Sequence, residues 1–107
     1  MIARATIAEI DPVRMSVDRA IELFHESVVP ALHEQDGFEG VYVLLTPEGK
    51  VLALTFWRDE DAAEAGLAGS RSFYAEQIAK FVTIYRSPPG RETYEVAIAE
   101  APAAAAF

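Results

Sequence analysis

With 107 residues, 51% of them apolar, the chain is long enough for one globular domain with a real core. Nine basic against 17 acidic residues give a formal charge of −8, which disfavours nucleic acid and anionic membranes as partners, because both need a positive surface. No cysteine is present, which excludes disulfides and thiolate zinc sites, and no apolar run reaches the roughly 20 residues that span a bilayer. No signal-peptide pattern opens the chain, so a cytoplasmic protein is the expectation.

Residues 2–10 read as a first strand, ended by Asp11-Pro12 because proline cannot donate to a ladder. Residues 16–36 read as a helix with Ser16 as N-cap and Asp18 near the positive end. Val17, Ala20, Ile21, Phe24, Val28, Ala31 and Leu32 fall on one stripe. Pro30 removes the bond to the Glu26 carbonyl and predicts a kink. Gly37 suits the left-handed position after the helix.

Residues 38–46 and 50–58 form a hairpin around Pro47-Glu48-Gly49. Val41-Tyr42-Val43-Leu44-Leu45 and Val51-Leu52-Ala53-Leu54-Thr55-Phe56-Trp57 do not alternate apolar with polar, so both faces of the hairpin need cover. Asp59 or Asp61 then caps a short alanine-rich helix that Gly66 and Gly69 weaken. A further helix starts near Ser70 or Ser72, with Tyr74, Ile78, Phe81, Val82 and Tyr85 as its stripe, and Pro88-Pro89-Gly90 ends it. Residues 92–100 read as the last strand. The alanine-rich tail 101–107 reads as frayed, leaving 1–100 as one domain.

The order is β-α-β-β-α-β, the ferredoxin-like α+β plan. It predicts a four-stranded antiparallel sheet with helices on one face. The other face would expose far more apolar surface than a monomer tolerates. Burial against a second copy through a two-fold interface solves this, giving a homodimer.

The chain resembles the dimeric α+β barrels and, within them, the antibiotic-biosynthesis-monooxygenase-like proteins. The resemblance covers roughly residues 2–100. It rests on Val29-Pro30-Ala31-Leu32 leading into Asp36-Gly37-Phe38-Glu39-Gly40, on Thr55-Phe56-Trp57-Arg58-Asp59-Glu60-Asp61-Ala62, and on Tyr94-Glu95-Val96. It implies two sheets facing each other across a dimer, with Leu52, Leu54 and Phe56 in its core if Trp57 faces the helices. It also implies a pocket between sheet and helices. Members include cofactor-independent oxygenases of aromatic polyketides, haem-degrading enzymes and proteins of unknown role. Trp57 is similar to the tryptophan that haem-degrading members carry at the end of the third strand. Thr6 falls where those members have asparagine, and no histidine follows Trp57, which counts against the haem route. No asparagine occurs at all, whereas oxygenase members tend to use one for the substrate's enolate.

Several residues could carry chemistry. Trp57 offers an indole N–H and a ring for stacking; its other reading is a core aromatic. His25, at the edge of the stripe, could be a proton acceptor; its other reading is a boundary histidine near Glu22 and Glu26. Tyr74, Tyr85 and Tyr42 could offer phenols to a ligand, or simply pack. Phe24 and Thr6 complete the ligand-facing candidates. Arg4 or Arg86 could hold an anionic or enolate oxygen, or form an ion pair with one of the acids. The two histidines diverge around the helix, so no protein-only metal site is expected, and no cofactor. Two functions follow. One is a cofactor-free monooxygenase of a planar aromatic or polyketide-like substrate, with His25 as base, Trp57 and Tyr74 as pocket donors and Arg86 as charge partner. The other is a non-catalytic dimer that binds a small apolar or aromatic ligand or accompanies other proteins.

Overall fold

The structure, a computed structural model, describes residues 1–68, 81 and 83–100. Its elements are β1 (Ile2–Glu9), α1 (Val17–Leu23), α2 (Val29–His33), β2 (Phe38–Leu45), β3 (Lys50–Trp57), α3 (Glu60–Ala68) and β4 (Gly90–Glu95). The four strands form one antiparallel sheet in the order β2-β3-β1-β4, as the ferredoxin-like plan requires.

The first helix starts where its cap is. Ser16 Oγ accepts from the Arg19 N–H at 3.2 Å. A π turn over Phe24–Val28 joins α1 to α2, with the Val29 N–H donating to the Phe24 carbonyl. Pro30, just beyond, has no N–H and would press its ring against the Glu26 carbonyl in a regular helix. The widened turn accommodates it, and the helix continues to His33. Gly37 does not cap this helix, whose C-cap is Glu34. Its φ of +80° belongs to the turn into β2, and an added Cβ would sit 2.5 Å from the Ala62 Cβ.

Asp59, not Asp61, caps α3. Its Oδ1 accepts from the Ala62 N–H at 2.8 Å. That backbone hydrogen bond, aided by Arg58, holds the Asp59 carboxyl below its ordinary pKa. A carboxylate with a lowered folded pKa contributes stability above the unfolded value of about 4, and the contribution is lost as pH falls through the folded value. Urea unfolding of wild type and Asp59→Ala between neutral pH and about pH 3 should show a gap that closes on acidification. A gap independent of pH would contradict the cap.

Two elements near the end of the chain differ from the sequence reading. The stripe through Tyr85 predicts helix there, yet Tyr85 pairs with Ile10 in an antiparallel bridge. Asp11 N–H bonds the Ile84 carbonyl at 2.8 Å and Arg86 N–H bonds the Glu9 carbonyl at 2.9 Å. The end of β1 captures this segment as extended chain. The rest of that helix, with Tyr74, Ile78 and Val82, lies outside the described residues, as does the tail 101–107. The last strand is Gly90–Glu95 rather than 92–100. It ends where its partner does: Ile2 pairs with Glu95, and the Val96 N–H makes one more bond, to the Met1 carbonyl.

The core lies between the sheet and the helices. Trp57, Ile10, Leu32 and Val28 are its largest fully buried side chains, and Ala20, Ala31, Ala62 and Ala63 let the helices approach closely. Among the described residues no helix is long and apolar enough to cross a membrane.

Candidate ligand site on the helix-facing side of the sheet

The strand register fixes which side chains share this face. Val43, Ala53, Thr6 and Arg91 form one cross-strand row. Val41, Thr55, Arg4 and Thr93 form the next. Phe38, Trp57, Ile2 and Glu95 form the last. Trp57 packs in the core cluster with Val28, Leu32 and Ala63, so this is the side that the helices cover. The β2 half of it is apolar. The β1–β4 half carries two arginines and two threonines, which core packing does not call for.

Trp57 is 1% exposed and meets Phe38 edge to face at 5.6 Å between ring centroids. Its Nε1–H donates to Thr55 Oγ1 at 2.9 Å. Thr55, the next residue on this side of β3, is itself buried. Its hydroxyl accepts from the indole, and its own O–H finds no acceptor among the described residues. A hydroxyl polarised in this way is a good donor to a ligand oxygen.

Arg4 stands opposite Thr55. Its Nε is buried and has no hydrogen-bond partner among the described residues. Arg14, Arg19, Arg58 and Arg86 each pair with a carboxylate. Neither Arg4 nor Arg91 does so among the described residues, in a chain whose net charge is −8. Arg4, Thr6, Thr55, Trp57, Arg91 and Thr93 line a cavity of about 210 Å³. Ala5 and Glu92 border it too, but the register turns their side chains toward the opposite side of the sheet.

Thr6 also lines a second, much smaller cavity of about 20 Å³ with Tyr85, Phe24 and other core residues. Burial pushes the Tyr85 phenol above its ordinary pKa, and nearby Arg91 offsets this only in part. At neutral pH Tyr85 is therefore a neutral donor and not a phenolate.

The candidates read from sequence are thus distributed as follows. Trp57 and Thr6 meet in the larger cavity, and Thr6, Phe24 and Tyr85 meet in the smaller one. His25 lies in the π turn, is exposed, and lines neither cavity. Arg86 is exposed and its Nε pairs with Glu9 at 3.3 Å. Tyr42 lies on the other side of the sheet, edge to face with Phe56 at 5.8 Å. Tyr74 lies outside the described residues. Thr55, Arg91 and Thr93 were not singled out from sequence. Their signal is alternation: Arg4 and Thr6 in β1, and Arg91, Thr93 and Glu95 in β4, repeat at the strand period of two. Among the described residues no cluster of His, Asp and Glu side chains could hold a metal ion.

A protein-family model described as antibiotic biosynthesis monooxygenase matches residues 4–69. The chain belongs to this family. It is similar in structure to the NE2512 protein of unknown function from Nitrosomonas europaea, with TM-score 0.72, 24% identity, and coverage of 95% of this chain and 94% of that one. It is similar to SnoaB, a cofactor-independent oxygenase from Streptomyces nogalater, with TM-score 0.75, 12% identity, and coverage of 92% and 94%. It is similar also to a monooxygenase from the gene ActVA-Orf6 of Streptomyces coelicolor, in complex with the ligand nanaomycin D. There the TM-score is 0.75, with 19% identity and coverage of 95% and 92%. At these identities the likeness shows the fold. No curated protein sequence matches the chain.

Proposed function

We propose that this chain is a cofactor-independent oxygenase that takes a planar phenolic or anthrone-like substrate as its anion. The observation that carries this reading is the buried, unpartnered Nε of Arg4, which pairs across the strands with Thr55 and lines the same cavity. A guanidinium beside an oxygen acid favours its charged form, the more so where the donating atom is buried, as the Arg4 Nε is. A bound phenol or enol would lose its proton to solvent near neutral pH, with Arg4 and Thr55 holding the oxygen. The electron-rich carbon then gives up electrons to dioxygen and forms a C–O bond. The resulting peroxide anion takes a proton. The carbon's remaining hydrogen and the outer oxygen leave as water, so that CH₂ and O₂ become C=O and H₂O. The buried Trp57 indole, at the back of the cavity, holds the Thr55 hydroxyl in position through its Nε1–H. The cavity is smaller than the roughly 300–1,000 Å³ of drug-sized sites, which suits a compact planar molecule. Dithranol, a dihydroxylated anthrone, is the probe for this reading. The protein should consume dioxygen with dithranol well above the buffer rate and yield the quinone. Consumption equal to the blank would overturn the reading.

One observation favours a second reading, a binder without turnover. His25 is exposed on the helix, so neither cavity has an imidazole to act as base. This reading expects dithranol to bind without dioxygen uptake.

The unit in either case is a homodimer joined through the open side of the sheet. Ile7, Leu52 and Leu44 form one row there; Ala5, Leu54 and Tyr42 form the next; Ala3 and Phe56 lie in the third. Ile7 and Leu44 are about half exposed in one chain, at 50% and 51%. Sedimentation equilibrium at micromolar concentration should give twice the chain mass of 11.7 kDa. Phe56→Glu, which would bury a charge at the centre, should give the single-chain mass. A monomeric wild type would contradict the dimer.

A further inference from the structure

The cavity of about 20 Å³ beneath the first helix has no role in substrate binding as described above. Its wall is built from Ile10, Ala20, Phe24, Val51 and Phe81, with Ala53 and Val43 on the sheet side. A single water needs about 10–15 Å³ and two to four polar partners. The volume is sufficient, and the described wall offers two polar groups, the Thr6 and Tyr85 hydroxyls, the least a water needs, against eight apolar side chains. Such a space holds a water weakly and admits a small apolar molecule in its place. Its position is as informative as its lining. Thr6 lies in the wall of this cavity and in the wall of the Arg4 cavity, so the two adjoin at that residue.

We infer that the small cavity is a dioxygen site, which holds the gas behind Thr6 next to the bound substrate anion. This rests on the oxygenase reading and extends it to the second substrate. A reaction between a carbanion and dissolved dioxygen gains from proximity when the gas is held at the reacting face. A largely apolar cavity also limits the water that reaches the peroxide before the neutral Tyr85 phenol protonates it.

The probe is xenon, an apolar atom of comparable size that needs no turnover. Crystals pressurised with xenon should show it among Ile10, Phe24, Val51 and Phe81. Ala53→Val, which adds two methyl groups on the sheet side, should abolish xenon binding. The same variant should raise the KM for dioxygen about fivefold to tenfold in dithranol oxidation, with kcat at saturating dioxygen and anaerobic dithranol binding unchanged. Val43→Ile fills the same space with one methyl group and serves if Ala53→Val fails to fold. Xenon absent from the cavity would overturn the inference. Xenon bound but an unchanged KM for dioxygen in a filled variant would overturn it also. If xenon binds and wild type still consumes no dioxygen with dithranol, the oxygenase reading itself fails and takes the inference with it. The xenon result thus separates the two failures.

Discussion

Arg4→Met is expected to slow dithranol oxidation about a hundredfold and to leave the fold as stable as wild type or more so. The two effects have one cause. The Arg4 Nε is desolvated without a hydrogen-bond partner, a condition that costs stability in the free protein. Methionine keeps most of the length and apolar stem and removes the unpaired charge. The folded state then gains, whereas the bound anion loses its charge partner. Removing one preorganised oxyanion donor typically costs about 10²–10³ in kcat. Arg4→Lys restores charge but not the planar fork, and should recover only part of the rate. Steady-state kinetics and urea unfolding on the same preparations check both halves. A stability loss with an unchanged rate would mark Arg4 as structural and contradict its assignment to the site.

Trp57→Ala is expected to cost about 3–5 kcal/mol of stability, the range for removing a buried large aromatic. The indole is 1% exposed, at the centre of the core, and packed on Phe38. Its removal also deprives the buried Thr55 hydroxyl of its donor. Small domains are stable by only about 5–15 kcal/mol, so much of the population could unfold. Trp57→Phe separates packing from the hydrogen bond: it should be markedly less destabilising and still weaken dithranol binding, because Thr55 loses the group that polarises it. A loss below about 1 kcal/mol for Trp57→Ala would show that the core tolerates a void there. Guanidinium or urea titration with circular dichroism makes the measurement.

The fold was legible because strong local signals agree with one another. Ser16 and the stripe through Val28 and Leu32 define the first helix, and Pro47-Glu48-Gly49 defines the hairpin turn. The two-sided apolar runs at 41–45 and 51–57 call for cover on both faces, and the register divides them as Trp57 and Thr55 against Leu54 and Phe56. The differences come from partners distant in sequence. Tyr85 fits a helical stripe, but the backbone at the end of β1 holds it as extended chain. Periodicity carries no information about such a bond. The last strand is short because β1 offers it no further partner.

The site was less legible for a related reason. Arg4 in an apolar strand and Trp57 at a strand end attract attention singly. That Arg4 faces Thr55, and that Thr93 completes the row, depends on the pairing register of β1 with both β3 and β4. His25 has the right chemistry for a base, and its place at the edge of a helical stripe left its direction open. The π turn that accommodates Pro30 alters the angular spacing of this helix, and His25 stands exposed within that turn.

On the proposed function, the Arg4 cavity binds a planar oxygen acid as its anion. Anaerobic titration of dithranol with the protein, followed by absorbance across a pH series, tests this without turnover. The anion's band should appear on binding at a pH at least about one unit below the free compound's pKa, saturating at one dithranol per chain. Arg4→Met should abolish that shift. Dithranol that stays neutral when bound, or an equal shift in Arg4→Met, would contradict it.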